Sequence, residues 1–282
     1  MKSAGWMIVL LLILLTGCSA GQETAIHEAQ PETPQTMEES METAQPGISA
    51  DVVDKHGMVD HIELLDAFVD NPQGTQRQRL IRYTIEGDPI YYDLTRANGK
   101  VGLSVDTTED KFGKGEVRTY ACDSLIREET DTQIRYALTG CEGHSEEMEL
   151  LQVAFDVSQQ DRFEFVLKYG PDLTNEINTV DHELQRDLGN DRMMHVSDFG
   201  LPEKDRQNIY RELVLAAYLN EKKLSSVCKQ QEGERYDLKV LINGGERHFQ
   251  WNSCDTGADG RQMTGAVEKM IAIVENGSMD RL

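Results

Sequence analysis

The chain has 282 residues, with 28 Lys+Arg against 50 Asp+Glu, a formal charge of −22 and 39% hydrophobic residues. The carboxylate excess argues against nucleic acid, whose phosphates need clustered cations, and against a polybasic grip on anionic lipid. The one long apolar run is too short to span a bilayer, while the hydrophobic content is enough for a core and excludes wholesale disorder.

The first element is an export signal over residues 1–17. Lys2 supplies the basic start, Met7–Leu15 the apolar segment, and Leu15-Thr16-Gly17-Cys18 the small-residue cleavage site. This ending resembles the bacterial lipobox, which implies that Cys18 carries diacylglycerol. Two acyl chains at ~0.8 kcal/mol per buried CH₂ make a stable membrane anchor. Residues 18–50 then read as a disordered acidic tether: from Ser19 onward they hold no aromatic, Lys or Arg, but six Glu and three of the seven prolines. Such a segment cannot offset its ordering entropy.

Residues 51–145 read as a first folded region. Val59-Asp60-His61-Ile62-Glu63-Leu64 has the form of a capped helix start, with Asp60 as cap, Glu63 completing a capping box and Val59 stapling to Leu64. That helix is expected to bury Ile62, Leu65, Phe68 and Val69 and to stop before Asn71-Pro72. Five antiparallel strands follow, at Arg79–Glu86, Ile90–Arg96, Lys100–Thr107, Glu116–Ile126 and Thr132–Thr139, with turns at Gly87-Asp88-Pro89 and Asn98-Gly99. Gly143–Glu149 marks the expected boundary.

In residues 150–282, Phe163–Tyr169 alternates as a strand, and Pro202 leads into a helix at Asn208–Asn220 with Ile209, Leu213 and Ala216 or Ala217 inward. Asn243-Gly244 turns a hairpin between Tyr236–Ile242 and Glu246–Trp251. A last helix, Arg261–Asn276, buries Met263, Val267, Met270 and Val274 and closes at Gly277. The expected fold class is α+β: two small modules, each an antiparallel sheet with packed helices.

With Cys18 lipidated, Cys122, Cys141, Cys228 and Cys254 remain, an even four with three possible pairings. Two fall on each side of the boundary, so local pairing, Cys122–Cys141 and Cys228–Cys254, is the economical choice. Cys122 and Cys141 are also equidistant from the turn at Thr130–Gln133. CxxC spacings, which zinc would favour, are absent.

Asp51-Val-Val-Asp-Lys-His-Gly57, Arg82-Tyr-Thr-Ile-Glu-Gly-Asp-Pro-Ile90 and Asp106-Thr-Thr-Glu-Asp-Lys-Phe-Gly113 resemble an uncharacterised lipoprotein domain of spore-forming Gram-positive bacteria, over about residues 51–143. Lys168-Tyr-Gly170 and Asn175-Glu-Ile-Asn-Thr179 resemble a second domain found in Bacillus- and Paenibacillus-type lipoproteins. Both resemblances imply location and domain limits but no activity.

Chemical candidates are few. Asp54, His56, Asp60, His61 and Glu63 crowd one segment but read better as helix polars. Asp106 and Asp110 are weak cation candidates; the calcium-loop template fails because Lys111 stands where the turn glycine belongs and Val117 where the bidentate Glu belongs. Asp181, His182, Glu183, His195 and Asp198 have no nucleophile elbow beside them. Asn175, Glu176, Asn178 and Thr179, just past a Gly-Pro turn, either order their loop by Asx-type bonds or form a candidate binding loop. No P-loop, GxGxxG or HExxH occurs, so no cofactor and no resident metal is expected. The resulting expectation is a protein held on the outer face of a bacterial cell membrane by its lipid, not an enzyme, which binds a peptide, protein or cell-wall component through a free sheet face or edge. One alternative is an envelope hydrolase or metal-dependent enzyme whose site assembles only in three dimensions. A second is a divalent-cation-binding surface protein.

Overall fold

In the computed structural model the described residues are 50–228 and 233–279. The signal segment, Cys18 and the tether up to residue 49 lie outside the described residues.

The chain opens with β1 (Val52–Lys55) and β2 (Met58–Asp60), joined through His56 and Gly57, both at positive φ (56° and 88°). This left-handed pair is what a two-residue hairpin with right-handed strand twist requires, and Asp54 locks it by accepting from the Gly57 N–H at 2.7 Å. Asp60 therefore ends a strand instead of capping a helix. Helix α1 (Glu63–Asp70) starts three residues later, behind an Ile62 N-cap that makes no side-chain cap bond. Pairing with β1, through Val53↔Asp60 and Lys55↔Met58, and the burial of Val59 outweigh the local capping signal. Leu65 and Phe68 are buried on α1 as their spacing requires, and Val69 is half-buried.

β3 (Gln76–Tyr83), β4 (Pro89–Ala97), β5 (Lys100–Asp106) and β6 (Val117–Cys122) complete a six-stranded sheet in the order β2-β1-β3-β4-β5-β6, with β1 parallel to β3 and every other pair antiparallel. The expected single strand Glu116–Ile126 breaks at Asp123. Beyond it, β7 (Ser124–Glu129) leaves for a second, three-stranded sheet with β8 (Gln133–Thr139) and β9 (Met148–Ala154), ordered β7-β8-β9. Extending the register Ser124↔Thr139 by two residues sets Cys122 opposite Cys141. The two are disulfide-bonded, with Cα atoms 3.9 Å apart, and the bond fixes the point where the chain changes sheets. β9 begins inside the interval read as a boundary, because Leu150, Leu151 and Val153 bury against the core there.

The third sheet takes β10 (Phe163–Gly170), β11 (Asn175–Asn178), β12 (Glu183–Asp187), β13 (Met193–Val196), β14 (Arg235–Ile242) and β15 (Gly245–Asn252) in the order β13-β12-β11-β10-β14-β15. Helices α2 (Glu203–Leu215) and α3 (Ala258–Met279) cover one face. Phe163 meets Tyr210 edge-on at 4.9 Å, and the Trp251 indole N–H donates to Thr264 at 2.9 Å. The other face is polar: Gln250, Asp237, Lys168, Glu176, Gln185 and His195 lie in one cross-strand row, all at least partly exposed. α2 runs earlier than its pattern suggested and stops at Leu215, because Ala217 turns left-handed (φ 47°). α3 continues through Gly277, since a helical glycine costs about 1 kcal/mol without ending the helix. The fold is thus a mixed α+β arrangement built mainly from antiparallel sheets, with three α-helices and a core that runs unbroken from Val52 to Val274 among the described residues.

Candidate binding cleft

After α2 the chain crosses the molecule as a strap, Asn220–Cys228, in which residues 221–228 have no regular structure. At its centre is Lys222, a side chain only 1% exposed. A buried ammonium is costly unless its three N–H groups find acceptors. Lys222 has three within reach: Gln262 Oε1 at 2.9 Å, Asp60 Oδ1 at 3.3 Å and Asp259 Oδ1 at 3.5 Å. The same carboxylates also hold the strap's neighbours. Asp60 Oδ2 accepts from Asn220 Nδ2 at 2.8 Å, and Asp259 Oδ2 accepts from the Lys223 N–H at 2.8 Å. One knot therefore joins the end of β2, the strap and the first turn of α3.

Above this knot opens a cleft of about 670 Å³, walled by Lys55, His61 and Glu63 on one side and by Glu221, Lys223 and Arg261 on the other. With the knot itself, the lining carries four cations (Lys55, Lys222, Lys223, Arg261) and four carboxylates (Asp60, Glu63, Glu221, Asp259). Its balance is zero in a chain of −22. Lys222, bonded to Gln262 and Asp60 and paired with Asp259, holds the walls together. His61 Nδ1 lies 3.4 Å from Glu63 Oε1 on the exposed rim. The polar groups around the opening suit a ligand that brings both charges.

A second polar assembly crosses the molecule away from the cleft. The Tyr136 hydroxyl on β8 donates to Asp66 on α1 at 2.6 Å, and Arg127 Nε on β7 pairs with the same carboxylate at 2.8 Å. Arg127 also pairs with Glu129 at 2.5 Å, and Glu129 accepts from Arg211 on α2 at 2.6 Å. Arg211 passes on to Glu212, which Lys269 on α3 reaches at 2.7 Å. Partial burial pushes the Glu129 carboxyl up, but hydrogen bonds from Arg127 and Arg211 outweigh it and hold it below the usual glutamate range. Burial, and then the Asp66 carboxylate, push the Tyr136 hydroxyl well above an ordinary tyrosine.

Of the residues singled out in the sequence, Asp60, His61 and Glu63 come together in the lining of the cleft, and the others do not join them. Asp54 is buried against Arg82 at 3.0 Å, Asp60 belongs to the Lys222 knot, and His56 sits in the β1–β2 turn. Asp106 accepts from the N–H and hydroxyl of Thr108, which hold its carboxyl below the usual range, while Asp110 accepts from the N–H groups of Phe112 and Gly113. These are local turns, and no group of three or more His, Cys, Asp or Glu is placed to hold a metal among the described residues. The Asn175–Thr179 segment is not a loop: residues 175–178 form β11, because Ile177 buries between Leu167 and Leu184. Its polar groups bond within the fold. Asn175 Nδ2 donates to the Tyr169 carbonyl, Asn178 Nδ2 to Glu176 and Asp181, and Thr179 exchanges bonds with the Phe165 backbone. Lys222 carries no sequence signal. Two lysines after a helix read as solvated, and only the tertiary approach of Asp60 and Asp259 makes one of them a knot. The second disulfide, Cys228–Cys254, pins the far end of the strap with Cα atoms 5.9 Å apart.

Residues 49–137 match the family described as a domain of unknown function, DUF4362. The match ends inside β8, so it stops short of both Cys141 and β9, which complete that sheet. No curated protein and no solved structure matches the chain.

Proposed function

We propose that this chain is a lipid-anchored, extracytoplasmic binding protein that takes a zwitterionic ligand, a peptide or peptide-bearing cell-wall fragment, in the cleft above Lys222. The observation that carries the reading is the cleft's charge balance within so acidic a chain. Ligands rich in carboxylate alone would be repelled by the surrounding field, and cations would be held anywhere on the surface. Regions 51–145 and 150–282 serve as one body with the cleft at their seam. The role proposed is binding without turnover, with the buried Lys222 serving to hold the walls through Gln262, Asp60 and Asp259. Two disulfides are in keeping with an oxidising exterior, and the lipobox-like Leu15–Cys18 supplies the anchor.

Calorimetric titration of the full chain with free-ended peptides of mixed charge tests the ligand class. Lys223→Glu with Arg261→Glu is expected to weaken binding at least about tenfold, roughly 1.4 kcal/mol. Equal binding by wild type and variant would remove the cleft from the reading. Cys18→Ala is expected to release the protein from membranes; retention of the variant in membranes washed with high salt would defeat the anchor.

A further inference from the structure

We propose that Cys228–Cys254 is a reducible latch on the strap, and that opening it frees Lys222 and widens the cleft. The two disulfides differ in what surrounds them. Cys122 and Cys141 are 1% and 4% exposed, at the end of a backbone ladder that continues through Asp123 and Glu142 on either side. Cys254 is exposed and Cys228 is half-buried, and the segment they pin has no ladder of its own. Thiol–disulfide exchange requires a thiolate to reach a sulfur directly, so a reductant that meets Cys254 freely cannot reach Cys122–Cys141 without unfolding.

The latch lies six residues along the chain from Lys222; apart from Leu224, which packs half-buried against the core, the other fastenings of the strap are hydrogen bonds or ion pairs. Asp255 accepts from the Ser225 N–H at 2.7 Å, the Ser225 carbonyl accepts from the Asn252 N–H at 3.1 Å, and Asp259 accepts from the Lys223 N–H. Once the cross-link is lost, the Lys222 knot and Leu224 are what still hold the strap, which has no ladder of its own and opens at a lower free-energy cost than the sheets beside it. The strap also walls two hollows at once: Glu221–Lys223 line the cleft, and Ser226 and Cys228 line a second hollow of about 390 Å³ against Arg235, Asp237 and Gln250. Lifting the strap changes both together.

The chemistry needs a dithiol. One of its thiolates attacks Cys254 Sγ, forming a mixed disulfide and expelling Cys228 as a thiolate that takes up a proton. The second thiol of the reductant then displaces Cys254, which also leaves as a thiol. Two electrons and two protons pass to the protein, and the dithiol ends as its own disulfide.

The test uses the full chain under graded dithiothreitol without denaturant. Free thiols are trapped with iodoacetamide, amines are acetylated in parallel, and both are mapped by mass spectrometry. The expected result is alkylation at Cys228 and Cys254 while Cys122–Cys141 stays intact, with Lys222 acetylation rising about tenfold. Cys228→Ser with Cys254→Ser is expected to give the same acetylation without reductant, its Cys122–Cys141 bond and far-UV circular dichroism unchanged. Reduction of both disulfides at one dithiothreitol level overturns the proposal. So does continued protection of Lys222 after Cys228–Cys254 has opened.

Discussion

The Lys222 knot ties β2 to the strap and α3, and the Arg127–Glu129–Arg211 chain ties α1 and β7 to α2 and α3, by opposite means. In the knot one buried ammonium serves three acceptors from β2 and α3. In the chain, charges alternate along a half-exposed line, so that Glu129 is shared by two guanidiniums and Asp66 by a guanidinium and a phenol. Removing the single hub takes the cation from all its partners at once and leaves Asp60 and Asp259 only their bonds to Asn220 and the Lys223 N–H, whereas removing a link from the line leaves most neighbours with another charged contact. Centralised and distributed fastening should therefore fail differently.

The sharpest way to break this comparison is Lys222→Met. It leaves Asp60 and Asp259 facing each other without a cation, and the expected loss is about 3 kcal/mol of unfolding free energy in urea. A loss no greater than a surface pair's, about 1 kcal/mol or less, would show that the hub carries no special weight. Cys122→Ser with Cys141→Ser removes a covalent fastening whose closed loop is near 20 residues, and should cost slightly less, close to 3 kcal/mol on the chain-entropy model. An unchanged denaturation midpoint would mean that the β7–β8 ladder alone fixes the crossing.

The distributed line is tested by Glu129→Gln, with an expected loss of about 1.5 kcal/mol at neutral pH. Because the folded Glu129 carboxyl is held below its usual range, its contribution is complete above the ordinary glutamate pKa and is lost as pH falls through the lowered folded value. The gap between wild type and variant should accordingly close in acid; a gap that widened there would contradict the assignment. The smallest effect is expected at Lys100→Ala. Its ion pair with Asp123 is 69% and 59% exposed, so solvent screens it and the denaturation midpoint should not move measurably.

These fastenings also show which parts of the molecule were legible in the sequence. Strand alternation gave β10, β14 and β15 to within a residue, and Asn243-Gly244 marked their hairpin, because both signals are local and agree with the tertiary burial of Phe165, Val240 and Trp251. The four inward residues of α3 followed from helical period alone, and the disulfide pairing followed from two cysteines falling on each side of the expected boundary. The capping signal at Asp60 failed because β1 and Lys222, one nearby and one 162 residues distant, made competing use of the same residue. The cleft was invisible for the same reason: its walls come from β1, the start of α1, the strap and α3, and no one segment carries its pattern. At Asn175–Thr179 the Asx-type ordering was legible, since the Asn178 amide oxygen accepts from the Val180 and Asp181 N–H groups, but the strand itself was not, because only the burial of Ile177 between its neighbours makes one.

The placement of β1 has a mechanical consequence. This strand lies between β2 and β3, parallel to β3, and just before it the Ala50 carbonyl accepts from Gln78 Nε2 at 2.9 Å. A pull entering at Ala50 runs along β1 and loads the bonds to β2 and β3 together, in shear, instead of peeling them one at a time as it would from a sheet edge. A protein drawn from its N-terminal side thus meets the tension with its sheet interior, and the cleft behind β1 and β2 is shielded until those ladders give way at once.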